Sequence, residues 1–260
     1  MSKRITAVSH EDELSLVDHL DELRGRLISV IIVFVVALVV AFWQNAAILK
    51  FVNAPLPNGT VPSTFGVSEA FVATLTVASY AALIVTLPVL IYQIYAFVIP
   101  ALSPDERRVA LPLLLMAPVL FVAGVAFGYV LVLPAATHFL LNFNNDQFNV
   151  QVRAREYYSF FAITLLSVGL LFQLPIGILI ATRIGLVSPQ QLRDNRRYAL
   201  LVIAIIAMLL PGTDPITMLI SMVPLLILYE GSVQLVSLLE RRDRRKAKKN
   251  SGEKANLARQ

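Results

Sequence analysis

The chain has 260 residues, 57% of them hydrophobic and 15% charged, with a formal net charge of +5 and a mean hydropathy of +0.71. Soluble domains are roughly half apolar and a quarter charged, so this composition excludes an ordinary water-soluble domain and points to a membrane protein. The lack of cysteine excludes disulfides and thiol chemistry, and the basic excess lies mostly in "RRDRRKAKKNSGEKANLARQ", residues 241–260, which reads as a topology signal rather than a nucleic-acid footprint.

A bilayer core of about 30 Å needs about 20 apolar residues in a helix. The first predicted span, Leu27 to Trp43, is slightly shorter and ends on an interfacial Trp. It follows a long leader that carries acids and is expected to be retained rather than cleaved as a signal sequence. The second span runs from about Phe71 to Ile99 with Pro88 inside it, and the third covers Val109 to Leu133 with Pro112, Pro118, Gly124 and Gly128. The fourth, Tyr158 to Thr182, is interrupted at Pro175, which has no N–H and leaves the carbonyl of Leu171 unpaired. The fifth, Tyr198 to Leu210, stops at "PGTDP". At about 1.5 Å per residue it covers only roughly 20 Å. The sixth runs from Ile216 to Leu239. The expected fold is therefore an all-α membrane protein of six transmembrane helices, the last two reaching one face at shallow depth. Residues 1–240 form the membrane domain, and 241–260 are expected to be a disordered cytoplasmic tail.

With the N-terminus inside, 19 of the 22 Lys and Arg residues fall in cytoplasmic segments, and only Lys50, Arg153 and Arg155 fall outside. This bias predicts both termini in the cytoplasm. Against that trend, the leader "VDHLDELRGRL" carries Asp18, Asp21 and Glu22, and the inner loop "SPDERR" carries Asp105 and Glu106. The inner loops also carry helix-start chemistry. "SPDE" puts Ser103 at an N-cap with Glu106 three residues on, and "SPQQ" repeats the pattern with Ser188 and Gln191.

Catalytic chemistry is missing from the sequence. It has no phosphate-binding G-x-x-x-x-G-K-[ST] loop, no G-x-S-x-G, and no ligand spacing among His10, His19 and His138. No cofactor or metal is expected. A secondary transporter of a small solute is the rival class, but it would ordinarily show ionisable groups at mid-membrane. The deep polar residues here are mainly Gln173, Thr74, Thr76, Thr86 and Gln93.

Four stretches carry a resemblance: "HLDELRGRL", "APL" around Pro55, "LPVLIYQIYAFVIPALSPDERR" and "LPGTDP". From about Leu16 to Glu240 the chain resembles TatC, the six-span subunit of the twin-arginine protein translocase. The signatures H-L-x-E-L-R and A-F-x-x-P-A-L-x-x-x-E-R-R carry most of its specificity. The resemblance implies a signal-peptide receptor and translocon core in the cytoplasmic membrane, exporting folded proteins with the proton-motive force. It also implies an oligomeric complex with single-span TatA/TatB-type subunits, and twin-arginine signal peptides as ligands. Glu22 and Glu106 match the family's two glutamates that grip the twin-arginine motif. The carboxylates suit that ligand, since Arg is always charged and pairs bidentately with them. A plainer reading stays open: Glu22 pairs with Arg26 at i,i+4, and Glu106 closes its capping box.

By the same resemblance, Arg24 orients Glu22 or contacts a partner. Phe97 and Pro100 shape the inner end of the second span, Pro55 lies in an outer cap, and Asp214 sits at the outer turn. Many relatives have a glutamate where this chain has Gln173, an amide that keeps hydrogen-bonding capacity without an ionisable proton. Some relatives also hold a partner helix through a polar cluster at the outer end of the last two spans. The matching residues here are Met208, Thr213 and Thr217.

Overall fold

The computed structural model describes residues 10–98, 104–144, 146–147, 150–183, 187–209 and 215–257. Ten α-helices follow in chain order among them: α1 (His10–Trp43), α2 (Asn45–Asn53), α3 (Glu69–Val98), α4 (Pro104–Phe127), α5 (Leu133–Asn142), α6 (Ala154–Leu171), α7 (Leu174–Arg183), α8 (Pro189–Asp194), α9 (Arg196–Met208) and α10 (Pro215–Leu257). The only strand-like feature among the described residues is an isolated parallel bridge between Ser63 and Arg153. Five runs are long and apolar enough to cross a bilayer: Asp21–Trp43, Glu69–Phe97, Leu115–Asn142, Ala154–Thr182 and Met218–Leu238. The thirteen residues of α9 fall short of that length alone.

Helix breaks follow proline chemistry. Pro175 ends α6 at Leu171, and Phe172 and Gln173 separate it from α7. The carbonyl of Gln173 restarts the ladder by accepting from the N–H groups of Ile176 and Gly177. Ser188 caps α8 with the expected capping box, its side chain accepting from the Gln191 N–H. In the third span Pro134 behaves differently from a stop. The helix widens into a π-turn over Gly128–Val132 and resumes as α5. Pro134 cannot donate to Val130, and a local π-turn absorbs the missing bond. The apolar run therefore continues to Asn142 rather than ending at Leu133. At the C-terminal end, α10 runs to Leu257 through the basic stretch. Ala, Arg, Lys and Glu are strong helix formers, and the preceding span supplies the nucleus.

The centre of the bundle is where α3, α4 and α6 meet, with Phe121, Ala117, Leu165 and Phe161 buried there. The approach of α4 to α6 depends on two glycines. A Cβ on Gly169 would lie 2.7 Å from Phe121 Cε2, and one on Gly124 would lie 3.0 Å from the Gly169 Cα. Outside this core, α1 packs mainly along α3 and keeps its apolar residues outward. Only 6% of its span is buried, against 33% for α3, so α1 is a lipid-facing staff beside the bundle. A second group joins α10 to α7 and α9. There Arg196 reaches Glu230 at 2.8 Å and the Tyr229 hydroxyl donates to the Leu192 carbonyl at 2.7 Å.

At the Trp43 end, α2 lies across the bundle. Nine residues cannot sustain a helix alone, and the last carbonyls of a helix need partners. The Tyr129 hydroxyl donates to the Phe51 carbonyl at 3.1 Å, and the Tyr157 hydroxyl to the Val52 carbonyl at 2.7 Å. Nearby, Glu69 accepts from the backbone N–H groups of Phe65 and Gly66 and from Arg153 Nε at 2.9 Å. Ser63 also exchanges backbone bonds with Val152 and Ala154. The two loops at this end are thereby tied into one cap.

Candidate functional site

Glu22 and Arg26 lie four residues apart on α1, which puts them on one helical face with the acid N-terminal, the favourable order. Arg26 Nη2 and Nε both donate to Glu22 Oε1, at 2.6 and 3.1 Å. The same guanidinium reaches across to α3, where Arg26 Nη1 donates to Gln93 Oε1 at 2.8 Å. An amide inside an apolar helix is costly without a partner. Gln93 meets that need because α3 runs back antiparallel to α1. The result is a three-residue chain, Glu22–Arg26–Gln93, at the end of the apolar run Asp21–Trp43 that is remote from Trp43. Its Glu22 side chain is 43% exposed and its Arg26 side chain 23% exposed.

Phe97 is half-buried and stands one turn beyond Gln93 on the same face of α3. Arg24 is exposed, and two residues from Glu22 it points to another side of α1. Glu106 falls in the first turn of α4; its side chain, like Pro100 and the proposed cap Ser103, lies outside the described residues.

The other expected residues are spread along the bundle rather than gathered. Gln173 Nε2 donates to the Ala117 carbonyl at 3.1 Å and so links the α6–α7 break to α4. Its Oε1 is buried and has no hydrogen-bond partner among the described residues. The Thr137 hydroxyl, whose nearest acceptor is the Leu133 carbonyl at 2.8 Å, also comes within 3.2 Å of the Pro55 carbonyl, so the cap lies against α5. Met208 ends α9 with 55% of its surface exposed. Thr213 and Asp214 lie outside the described residues, and Thr217 falls in the first turn of α10 with its side chain outside them.

No three His, Asp or Glu residues converge as metal ligands among the described residues. An apolar cavity of ≈ 260 Å³ lies between α2, α3, α4 and α6, lined by Ile48, Val77, Ile84, Phe161 and their neighbours. What the Glu22 end can do chemically is hold a guanidinium, because it already does. Sequence spacing signalled the Glu22–Arg26 pair. It did not signal Gln93 as the third member, since that contact depends on the register between two helices and joins residues 67 positions apart.

Five apolar helical runs packed as one bundle, with a carboxylate that holds a guanidinium, define a polytopic helical membrane protein. Residues 18–224 match the family described as Sec-independent protein translocase protein (TatC), and the chain belongs to that family. A TatC of Carboxydothermus hydrogenoformans is 35% identical over 243 residues, covering 93% of this chain and 98% of its own. One of Deinococcus radiodurans is 37% identical over 228 residues, covering 85% and 84%. The crystal structure of a twin arginine translocase receptor, TatC, superposes with a TM-score of 0.69 at 31% identity, covering 85% of this chain and 98% of that one. The chain is accordingly a core subunit of the Sec-independent translocase and not an enzyme.

Proposed function

We propose that this subunit is the signal-peptide receptor of its translocase, with Glu22 and Glu106 receiving the consecutive arginines of the peptide. The observation that carries the reading is the Glu22 carboxylate, which holds a guanidinium through two short bonds within the family-matched region. Arg24 and Phe97 border this site; Gln173 anchors the helix break; Pro55 and Asp214 shape the outer cap and turn; and Met208, Thr213 and Thr217 face a partner subunit. The chain crosses the cytoplasmic membrane six times, α9 serving as a short fifth span, with both termini and the 241–260 extension inside. That orientation follows from the positive-inside bias and puts Glu22 at the cytoplasmic face. Single-span TatA/TatB-type subunits complete the complex, which moves folded proteins with the proton-motive force.

A hydrogen bond to a charged group contributes about 1.5–3 kcal/mol, and exposed pairs often give only about 0–1 kcal/mol. Two such contacts cannot reach the roughly 8 kcal/mol of micromolar affinity. The peptide's apolar segment therefore also binds along the membrane-facing surface, for which the cavity beside Ile84 and Phe161 offers an apolar seat. Export of a twin-arginine substrate in cells carrying Glu22→Ala, Glu106→Ala and the double variant tests the reading. Strong loss of export with normal membrane insertion is expected; normal export by the double variant would overturn it.

A further inference from the structure

The receptor carboxylate is not presented bare. Arg26, from the same helix, occupies Glu22 with the chemistry that an arginine ligand would bring: a guanidinium with two N–H groups on one carboxylate oxygen. We propose that Arg26 is a built-in competing ligand, an internal stand-in for the peptide's arginine that sets the affinity threshold of the site. The proposal rests on the reading of Glu22 as a ligand contact and adds a regulation to it.

Three observations make Arg26 fit this part. Its pairing with Glu22 is local, four residues along one helix, so it forms at no cost in loop closure. The pair is partly exposed, with Glu22 at 43% and Arg26 at 23%, so water and an incoming cation can reach it. Finally, Arg26 has a second partner. Gln93 Oε1 accepts from Nη1, a bond that can persist when Nε and Nη2 leave Glu22. An arginine displaced from the carboxylate is therefore not stranded beside apolar α3 without an acceptor.

The consequence is quantitative. When only a fraction of receptors offers an unoccupied carboxylate, apparent affinity is reduced by that fraction. An internal competitor weakens every cationic ligand by the same factor, so it raises the threshold without changing preference. Preference for arginine over lysine comes from the guanidinium fork, which an ammonium point charge cannot reproduce. A single stray cation on a nascent chain then fails to hold the site, whereas a peptide that also brings its apolar segment succeeds.

The test measures binding of a labelled synthetic peptide, two arginines ahead of an apolar segment, to the full chain in lipid nanodiscs, alongside a twin-lysine counterpart. Arg26→Gln should tighten both peptides by the same factor, about three- to tenfold from the usual worth of a partly exposed charge-assisted pair. Arg26→Lys keeps the positive charge but loses the fork, and should fall between wild type and Arg26→Gln. Size-exclusion profiles matching wild type establish that the variants are folded. Unchanged or weaker binding by Arg26→Gln would show Arg26 to be a positioning residue or a bystander. Tightening by Arg26→Gln with Arg26→Lys equal to wild type would show through-space repulsion instead of occupancy. A gain confined to one peptide would contradict a shared threshold. Glu22→Gln is the separate control: if it leaves wild-type affinity intact, the ligand-contact reading itself is wrong, whatever the Arg26 variants do.

Discussion

One added methyl group probes the packing that fixes the centre of the bundle. In Gly169→Ala the new Cβ would lie 2.7 Å from Phe121 Cε2 and 2.9 Å from Val125 Cγ2. Carbon atoms in favourable contact sit about 3.5–4.0 Å apart, so the overlap approaches an ångström. Phe121 has no exposed surface and no room to swing away, and α4 and α6 must part. Such overpacking costs about 1–3 kcal/mol, partly offset by the gain of up to about 1 kcal/mol when Ala replaces a helical Gly. Gly231→Ala is the matched control, because a Cβ there meets nothing within 4 Å and only the gain remains. Thermal unfolding of the detergent-solubilised chain should separate the two variants by several degrees, at about 2–4 °C per kcal/mol for a domain of this size. Gly169→Ala should be the lower. Equal midpoints would refute the close α4–α6 contact.

Two further outcomes are expected. Gln173→Leu removes the bond to the Ala117 carbonyl, worth about 0.5–1.5 kcal/mol, and should reduce transport more than Gln173→Glu, whose neutral form keeps a donor; full export activity with Leu at this position would reject the anchor. Cysteines introduced at Met208 and Thr213 of this cysteine-free chain, each together with a second cysteine in α7 and scored on non-reducing gels, should capture a cysteine on a single-span partner subunit, whereas disulfides formed only within the chain would refute docking beside α9.

Much of the helical plan was readable because membrane spans announce themselves by length and apolarity alone. The break before Pro175, the capping box at Ser188 and the shortness of α9 were equally readable, since each follows from a local rule about one or two residues. What escaped were features decided by tertiary contact. The third span is expected to end at Leu133, yet a π-turn carries the helix past Pro134. Helix α2 had no signal strong enough to outweigh its short length. Two tyrosine hydroxyls more than 75 residues away secure its carbonyl end. At the site, the pair of Glu22 with Arg26 was visible as an i,i+4 spacing. The third member, Gln93, reads from sequence only as a polar residue within a span. Its partner became identifiable once the antiparallel register of α1 and α3 was known.

The receptor reading turns on whether the two glutamate positions touch the arginines of a signal peptide. A photo-reactive amino acid installed separately at positions 22 and 106, and irradiated in membranes with a radiolabelled precursor, answers this. The expected result is a covalent adduct from both positions that disappears when the precursor's two arginines are replaced by lysines. Adducts that are missing at both positions, or that persist with the twin-lysine precursor at equal yield, would contradict it.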